Sequence, residues 1–576
     1  MRQGTFDLNH PYLKKQLIAY IGNKRSLQPL LYQVFSKISN CGRGGGRSAS
    51  QPAVFLDPFA GSGSVARLAR YLGFRVLAND WEYYAFVLNY AHLCIGSPEA
   101  QGLFRSRGGP QALLAELNAL PPPPETDRYI SRYYAPASTE GADYHTERLF
   151  YTRENALIID GIRSRIEEMY PGTEVTKEKL LLLAALLYQC ATHTNTSGVF
   201  KACHKGFGGH GRDALGRILS PIRLQMPIVI DAPGEAEVGC QDALQFVRSR
   251  PAELCYLDPP YNQHQYGSNY HLLNTIALWD KPAIDNELRG DGRLKHKAGI
   301  RKDWVKTRSA YCYRRSAGRA FRELLDAIDA RHIVLSYNTE GIIPFEELVE
   351  LLASQGRVEL FGNEYVKYRG GKQSIARQVH NLEFVLLLDR NRSTLKPDRE
   401  RLERAVLVNR LAVLMKRSFC PEKIRRRFAF GFGKHPWLAI ELEGKSYQLP
   451  MPHLYRFSPE AADMIDAALG MDSSADLRPL LKDLSSCECA DRQEEIHVLL
   501  RILKSSSQRA EGTDGDALQR RILWLLRKFA HRKYRERFEQ TVAELRTFAE
   551  GDPEGFALLL RGLSEVAVLA HARFEG

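Results

Sequence analysis

The sequence contains no long apolar run: no stretch approaches the roughly 20 apolar residues that a membrane-spanning helix needs. The segment MRQGTFDLNHPYLKKQ has no apolar signal core, so we expect a cytoplasmic protein. The ten cysteines are scattered, and Cys487 and Cys489, which lie close together, have no nearby histidine pair for zinc. We therefore expect reduced thiols rather than a disulfide framework.

Internal repeats are also missing. A chain of 576 residues is nevertheless too long for one hydrophobic core and suggests roughly three or four domains.

Positive charge exceeds negative charge in this sequence. The net charge of +13 and the isoelectric point near 9.1 favour a polyanionic partner.

A glycine-rich turn between two short strands is the first candidate binding site. AVFLD and FRVLAND read as strands, PFAGSGS as a turn and VARLARYLG as a helix. Gly61 and Gly63 would let a ligand approach the backbone, and Asp80 at the end of the second strand suits ribose hydroxyls. The third glycine of the dinucleotide pattern is absent, which favours a nucleoside without phosphates. A plain glycine turn is the alternative.

Two further stretches carry unusual residues. In YIGNK, Lys24 follows a Gly22–Asn23 turn, although by itself it would be read as a solvated charge and Tyr20 as a core aromatic. In CYLDPPY, two prolines follow a strand that they cannot extend, because neither has an N–H for the ladder. The prolines would hold Asp258 and Tyr261 at a strand end, where open α/β sheets bind ligands.

YIGNK, DPFAGSG…AND and DPPY, in this order, resemble the Dam-like adenine DNA methyltransferases, the alpha group of amino methyltransferases. The resemblance extends from about Ile18 to Asp389. It implies an α/β fold with a Rossmann-like methyltransferase sheet, formed by residues 1–92 and 240–390. Residues 93–239 would be an inserted, mainly helical target-recognition domain. Residues 391–576 read as a mostly helical accessory extension of unknown role.

The resemblance implies S-adenosylmethionine as methyl donor. Asp57 would contact its methionine end, Asp80 its ribose and Asp242 the region of its adenine. Ala243 stands where the family often has Phe, so an aromatic contact there is in doubt. The implied cofactor site comprises Tyr20, Gly22, Lys24, Asp57, Gly61, Gly63, Asp80 and Asp242.

The resemblance also explains the proline pair. Asp258 and the carbonyl of Pro259 would each accept one hydrogen of an exocyclic amine, which directs the nitrogen lone pair at the methyl group. Pro260 has no competing N–H, and Tyr261 offers a face on which an extruded base can stack. Adenine is preferred because Asp heads the tetrad, where enzymes acting on the cytosine amine usually carry Ser. No metal is needed, and His193, His204 and His210 have no accompanying ligand cluster.

Double-stranded DNA is the expected partner, and two basic stretches are candidates for binding it. Each could instead be a solvated loop. The first lies in the insert and the second in a predicted hairpin near the catalytic face. Their cations are Lys201, Lys205, Arg212 and Arg217, and Lys367, Arg369, Lys372 and Arg377.

The C-terminal region has basic segments at IRRRF and at Arg527–Phe538, the latter predicted as a helix. It suits an accessory DNA-binding domain or a surface for a protein partner. A nuclease motif at Glu443-Gly444-Lys445 with Asp398 is weakly indicated.

The leading hypothesis is a site-specific adenine DNA methyltransferase of restriction–modification, phage defence or a mobile element. An RNA amine methyltransferase and an inactive DNA-binding regulator with this fold are the alternatives.

Overall fold

The computed structural model describes residues 7–41, 52–172, 175–209, 214–338, 341–367, 382–432, 436–442, 444–452, 454–458, 461, 464–465, 477–506, 515–530 and 534–575. The chain divides into two compact units, Met1–Leu395 and Lys396–Gly576. The division falls a few residues after the predicted boundary at 390/391. Within the described ranges, no helix has the length and apolar character needed to cross a bilayer.

A seven-stranded sheet with the order β3-β2-β1-β4-β5-β7-β6 forms the centre of the first unit. Strand β7 runs antiparallel to both of its neighbours, and the other described pairings are parallel. The α/β prediction is confirmed as a mostly parallel sheet surrounded by helices. The strands are β1 Val54–Asp57, β2 Arg75–Asn79, β3 Glu237–Gly239, β4 Ala252–Leu257, β5 Ala330–Asn338, β6 Arg357–Lys367 and β7 Leu382–Asp389.

The central strands are apolar without alternation because helices cover both faces of the sheet. Phe55 of β1 and Leu254 of β4 are paired, and both are fully buried. The helices of this unit are α1 Pro11–Lys14, α2 Gln28–Cys41, α3 Ser64–Tyr71, α4 Tyr83–Leu93, α5 Ser97–Gly102, α6 Pro110–Asn118, α7 Ile130–Tyr133, α8 Arg153–Met169, α9 Lys177–His193, α10 Leu215–Leu219, α11 Ala243–Val247, α12 Tyr266–Asn269, α13 His271–Leu278, α14 Ala317–Ala327 and α15 Phe345–Ala353.

The segment predicted as an insert is helical from α5 to α10 and shares a core with the sheet helices. Its longest apolar helix, α9, packs against α4 and α13. Strand β3, inside the predicted limits of the insert, pairs with β2 in the main sheet. The chain therefore returns to the sheet at Glu237, before the predicted boundary at 239/240.

The second unit combines helices with a small antiparallel sheet of order β10-β9-β8. Its strands are β8 Phe430–Phe432, β9 Pro436–Leu442 and β10 Lys445–Pro450, and its long helices are Lys396–Met415, Leu477–Cys487, Arg492–Ser506, Gly515–Phe529, Arg535–Glu550 and Ala557–Glu575. The segment PWLAIELEGKSYQLPM contains the antiparallel pair β9 and β10. The single helix predicted over Arg527–Phe538 is wrong, because one helix ends at Phe529 and another begins at Arg535.

Candidate active site

The carboxyl ends of β1, β2 and β4 bring the three sequence motifs to one pocket. Parallel strands end at the same edge of a sheet, so turns that are distant in sequence meet there. Gly63, Pro259 and Tyr261 adjoin the pocket rather than line it. The predicted residues that do line it are Tyr20, Gly22, Lys24, Asp57, Gly61, Asp80, Asp242, Asp258 and Pro260.

The glycine turn after β1 is held by the carboxylate of Asp80. The backbone N–H of Gly61 donates to Asp80 Oδ2 at 2.9 Å, and the N–H of Glu82 donates to Asp80 Oδ1 at 2.9 Å. Gly61 has a φ of +51°, and a Cβ there would lie 2.7 Å from the ring of Tyr20. The turn therefore needs glycine both for its backbone conformation and for the close approach of Tyr20.

Asp57 is a carboxylate that the described residues leave without a cation. Its side chain is 1% exposed and accepts a hydrogen bond from the N–H of Phe59 at 3.2 Å. Burial raises the pKa of Asp57 well above its usual value, and the nearby carboxylates of Asp258 and Asp80 add to the shift. A buried, unneutralised carboxylate of this kind fits the ammonium group of a ligand.

Burial also raises the pKa of Asp80 to about 6 and that of Glu82 to about 7. Together with Asp57 and Asp258, these side chains place more carboxylates in the pocket than the buried cation Lys24 can neutralise. Such an excess favours a positively charged ligand. The donor set therefore fits S-adenosylmethionine, which carries a sulfonium and an ammonium group.

Lys24 lies between two buried carboxylates. Its Nζ is 2.8 Å from the carbonyl oxygen of Gly22, 3.0 Å from Asp258 Oδ1 and 3.4 Å from Glu383 Oε1. These three acceptors match the three N–H donors of an ammonium. Burial disfavours the charged form, but Asp258 and Glu383 outweigh it and raise the pKa of Lys24. Lys24 is thus a charged partner of Asp258 as well as a pocket residue.

From the described residues, the carboxylate of Asp258 receives two hydrogen bonds, both on one oxygen. Besides the contact from Lys24, Asp258 Oδ1 accepts from Ser336 Oγ at 3.3 Å, and Ser336 Oγ lies 2.6 Å from the hydroxyl of Tyr256. Burial raises the pKa of Asp258 to about 6, against the opposing effect of Lys24. The arrangement fixes Oδ1, and no described residue forms a hydrogen bond with Oδ2.

The turn that carries the two prolines is anchored by its backbone. The carbonyl oxygen of Tyr261 accepts from the N–H of Ile342 at 2.9 Å. The Lys24 ammonium lies 5.5 Å from the centre of the Tyr261 ring, and the Tyr337 ring meets it edge-on at 6.1 Å. The ring of Tyr261 is therefore positioned by contacts beside the carboxylate of Asp258.

Sequence reasoning missed several residues of this site. Glu383 and Ser336 lie on strands β7 and β5, and the sequence analysis assigned a role to neither. Thr307–Tyr311 line the pocket from a segment that follows α13, and Tyr311 packs edge-on against Phe59 at 5.3 Å. The available signal was composition alone, since KDWVKTRSAYCYRR mixes cations with aromatics.

Asp242 caps α11 by accepting a hydrogen bond from the N–H of Leu244 at 2.9 Å. Its predicted contact with the cofactor stays a prediction, although its place in the pocket lining is compatible with one.

Of the predicted DNA-contacting cations, Lys201, Lys205 and Arg217 are exposed. Lys205 Nζ lies 5.4 Å from the centre of the Tyr144 ring. Lys367 ends β6, which pairs with the start of β7 as a hairpin requires. Arg212, Arg369, Lys372 and Arg377 lie outside the described residues, as do His210 and Glu443.

Metal-ligand groups are absent from the described part of the chain: no three His, Cys, Asp or Glu side chains there could hold an ion together. Within this part, His193 is buried and its Nδ1 lies 3.0 Å from the carbonyl oxygen of Gln189.

The class of protein follows from the pocket and the proline turn together. The pocket suits a cationic nucleoside, and the carboxylate of Asp258 and the carbonyl of Pro259 lie at its edge. These two acceptors suit the transfer of a methyl group to an amine. The protein is an S-adenosylmethionine-dependent methyltransferase. It belongs to the D12 class N6 adenine-specific DNA methyltransferases, whose family model matches residues 20–349. The resemblance drawn from the sequence is thereby confirmed, and the RNA-modifying and regulatory alternatives are not favoured.

Curated relatives carry names of modification enzymes. The Type II methyltransferase M.NlaIII of Neisseria lactamica is 31% identical over 369 residues, which cover 64% of this chain and 97% of that protein. The modification methylase LlaI of Lactococcus lactis is 30% identical over 65% of this chain and 56% of its own length. The Type II methyltransferase M.FokI of Planomicrobium okeanokoites is 29% identical over 58% of this chain and 48% of its own length.

Proposed function

We propose that this chain methylates adenine N6 at a specific DNA sequence, with Asp258, Pro259, Pro260 and Tyr261 holding the extruded base. The observation that carries this assignment is the carboxylate of Asp258, whose Oδ1 is fixed by Lys24 and Ser336 while Oδ2 remains for the amine. Restriction–modification is the biological role that the names of the relatives favour.

When bound, S-adenosylmethionine supplies the electrophilic methyl group. Asp258 Oδ2 accepts one hydrogen of the adenine amine, and the carbonyl oxygen of Pro259 accepts the other. These two bonds reduce the conjugation of the nitrogen with the ring and orient its lone pair. Since the acceptors are held in place before the base arrives, little reorganisation is required during transfer.

We assign the remaining pocket residues to cofactor binding. Asp57 binds the ammonium of the methionine end, and Asp80 accepts hydrogen bonds from ribose hydroxyls. We assign Asp242, which lines the pocket together with Tyr311, to the adenine end of the cofactor. Tyr20, Gly22, Lys24, Gly61 and Gly63 shape the walls and turns of the pocket.

The direct test is incubation of the full chain with labelled S-adenosylmethionine and plasmid DNA, followed by nucleoside analysis. We expect label in N6-methyladenine, and sequencing would give the site. Label in a cytosine derivative, or label in structured RNA instead of duplex DNA, would contradict the assignment.

In this proposal the helical part of residues 93–239 is the target-recognition domain, and its exposed cations suit DNA phosphates. We predict that replacing Lys201, Lys205, Arg212 and Arg217 with Gln weakens DNA binding and flattens its salt dependence. Each lost phosphate contact should lower the logarithmic slope by roughly 0.9 on duplex DNA. Affinity measured across a salt series checks this, with cofactor affinity unchanged as the control. An unaltered slope would place the DNA elsewhere, first at the cations Lys367, Arg369, Lys372 and Arg377.

The second compact unit has an accessory role in this proposal. We predict that a fragment ending at Leu395 folds and binds S-adenosylmethionine, because it contains the whole seven-stranded sheet and every pocket residue. Calorimetry with the cofactor and duplex-binding measurements check this. The affinity of the fragment for duplex DNA is compared with that of the full chain. If the fragment binds less tightly, and that loss is similar for all DNA sequences and becomes smaller at high salt, the second unit contacts DNA phosphates.

Unchanged methylation of naked DNA by the same fragment would favour a surface for a protein partner. Failure to bind cofactor would mean that the second unit completes the catalytic domain.

A further inference from the structure

The segment between α13 and α14 presents a row of exposed cations. We call residues 302–315, with the sequence KDWVKTRSAYCYRR, the rim segment. Each of its five cations is exposed, and none makes an ion pair with a described residue. They are Lys302, Lys306, Arg308, Arg314 and Arg315.

The acidic residue of the rim segment offsets this row only at Lys306, with which it interacts electrostatically without forming an ion pair. Asp303 is bound by the buried guanidinium of Arg301, with N–O distances of 2.6 and 2.7 Å. Unpaired cations on a folded surface repel one another, and their self-repulsion is relieved when a polyanion binds. The row is therefore complementary in charge to a phosphate backbone.

The rim segment is fixed against the catalytic turn. The side-chain amide of Gln265 donates from Nε2 to the Ser309 carbonyl oxygen at 3.1 Å and accepts on Oε1 from the Ser309 N–H at 2.8 Å. Cys312 Sγ lies 3.6 Å from the carbonyl oxygen of His264. Gln265 is only four residues beyond Tyr261, so these contacts hold the cations next to the base-binding site.

Part of the rim segment also forms the wall of the cofactor pocket. Thr307, Arg308 and Ser309 line it, whereas Lys306, Arg314 and Arg315 do not. The segment carries partly exposed aromatic surface as well: the Arg308 guanidinium lies 5.0 Å from the centre of the Trp304 ring, and Tyr313 is 45% exposed. Arginine and aromatic side chains beside unpaired lysines are typical of surfaces that contact nucleic acid.

We propose that the rim segment binds the phosphates of the DNA strand next to the extruded adenine. This inference rests on the proposed function, because the cations matter only if the turn beside them binds the extruded base. A base that enters the pocket draws its neighbouring phosphates over the pocket mouth. Contacts of this kind fix the position of the strand and carry no sequence information. They are separate from target recognition by the insert.

The test compares two triple variants of the full chain with equal loss of charge. The first is Lys306→Gln/Arg314→Gln/Arg315→Gln. The control is Arg75→Gln/Arg248→Gln/Arg331→Gln, which removes exposed cations near the starts of β2, β4 and β5, at the sheet edge opposite the pocket. Affinity for a duplex with a methylatable site is measured across a salt series, together with S-adenosylmethionine binding.

We expect the rim variant to reduce the logarithmic salt slope by roughly 0.9 for each lost contact, and by up to about 2.7 for all three. The control should change the slope little, and both variants should bind the cofactor as the parent does. Equal slopes for the rim variant and the control would overturn the inference. If the rim triple variant loses cofactor binding, the single variants Arg314→Gln and Arg315→Gln are measured in its place. Each is expected to reduce the logarithmic salt slope of DNA affinity by roughly 0.9, and unchanged slopes would overturn the inference.

Failure of the proposed function is recognised separately. If the parent protein does not place label in N6-methyladenine, the assignment of the reaction fails whatever the salt slopes are. If the parent methylates adenine but the rim variant and the control variant have the same salt slope, only the inference about the rim segment is wrong.

Discussion

Replacing Asp258 with Ala should reduce methyl transfer by roughly a hundredfold to a thousandfold, the usual loss when one preorganised contact to the reacting group is removed. The adenine amine then loses one of its two acceptors. Lys24 keeps the Gly22 carbonyl and Glu383, so its buried ammonium is not left without a partner. Single-turnover rates at saturating DNA and cofactor measure the effect.

Asp258→Asn is the matched variant: its amide oxygen takes the hydrogen bonds from Lys24 and Ser336, so its amide NH2 replaces Oδ2 and cannot accept from the substrate amine. We expect it to lose transfer about as fully as Asp258→Ala. Unchanged cofactor affinity in both variants would show that the lost activity does not result from a misfolded protein. Transfer by Asp258→Ala within a few-fold of the parent would rule out the proposed role.

The pH profile of the parent gives a further check on Asp258. Its pKa is raised to about 6 by burial, so the carboxylate gains a proton as the pH falls through this value. The protonated form is a poorer acceptor, and single-turnover transfer should decline below about pH 6.

Tyr261→Ala should be the second most damaging change. Stacking of a base on an aromatic side chain is worth about 1–3 kcal/mol, which corresponds to a loss of roughly five- to 150-fold. The turn itself should persist, because Ile342 binds the backbone carbonyl of Tyr261 rather than its side chain. Tyr261→Phe keeps the ring and should retain much of the activity.

DNA with a mismatch at the target adenine tests the reason for this loss. Extrusion of a mismatched base costs less free energy, so such a substrate should partly rescue Tyr261→Ala and leave Asp258→Ala impaired. Similar losses for Tyr261→Ala and Tyr261→Phe would show that stacking is not the main role of the ring.

The sequence was sufficient for the parts of the site that lie in continuous turns. Gly61, Asp80 and Asp258 follow strands whose apolar runs are unambiguous, and parallel strands bring their carboxyl ends together. Local signals are equally clear at α8 and α9, where Thr152 and Thr176 each cap the helix start.

Contacts between distant strands were not predictable from local patterns. Glu383 lies in a strand that reads as apolar, and its contact with Lys24 depends on β7 running antiparallel beside β5. The false helix over Arg527–Phe538 has a different cause. Its charge pattern continues across two helices, whereas the apolar contacts of Phe529 and Phe538 belong to separate helices in one core.

The surplus of buried carboxylate in the pocket has a consequence for the order of turnover. Methyl transfer converts the sulfonium of the donor into a neutral thioether, so the spent molecule has one positive charge less than its precursor. The carboxylates of Asp258 and Asp80 repel that of Asp57, and the spent donor compensates this repulsion less well. By charge alone, we expect the pocket to bind the spent donor less tightly than a fresh one.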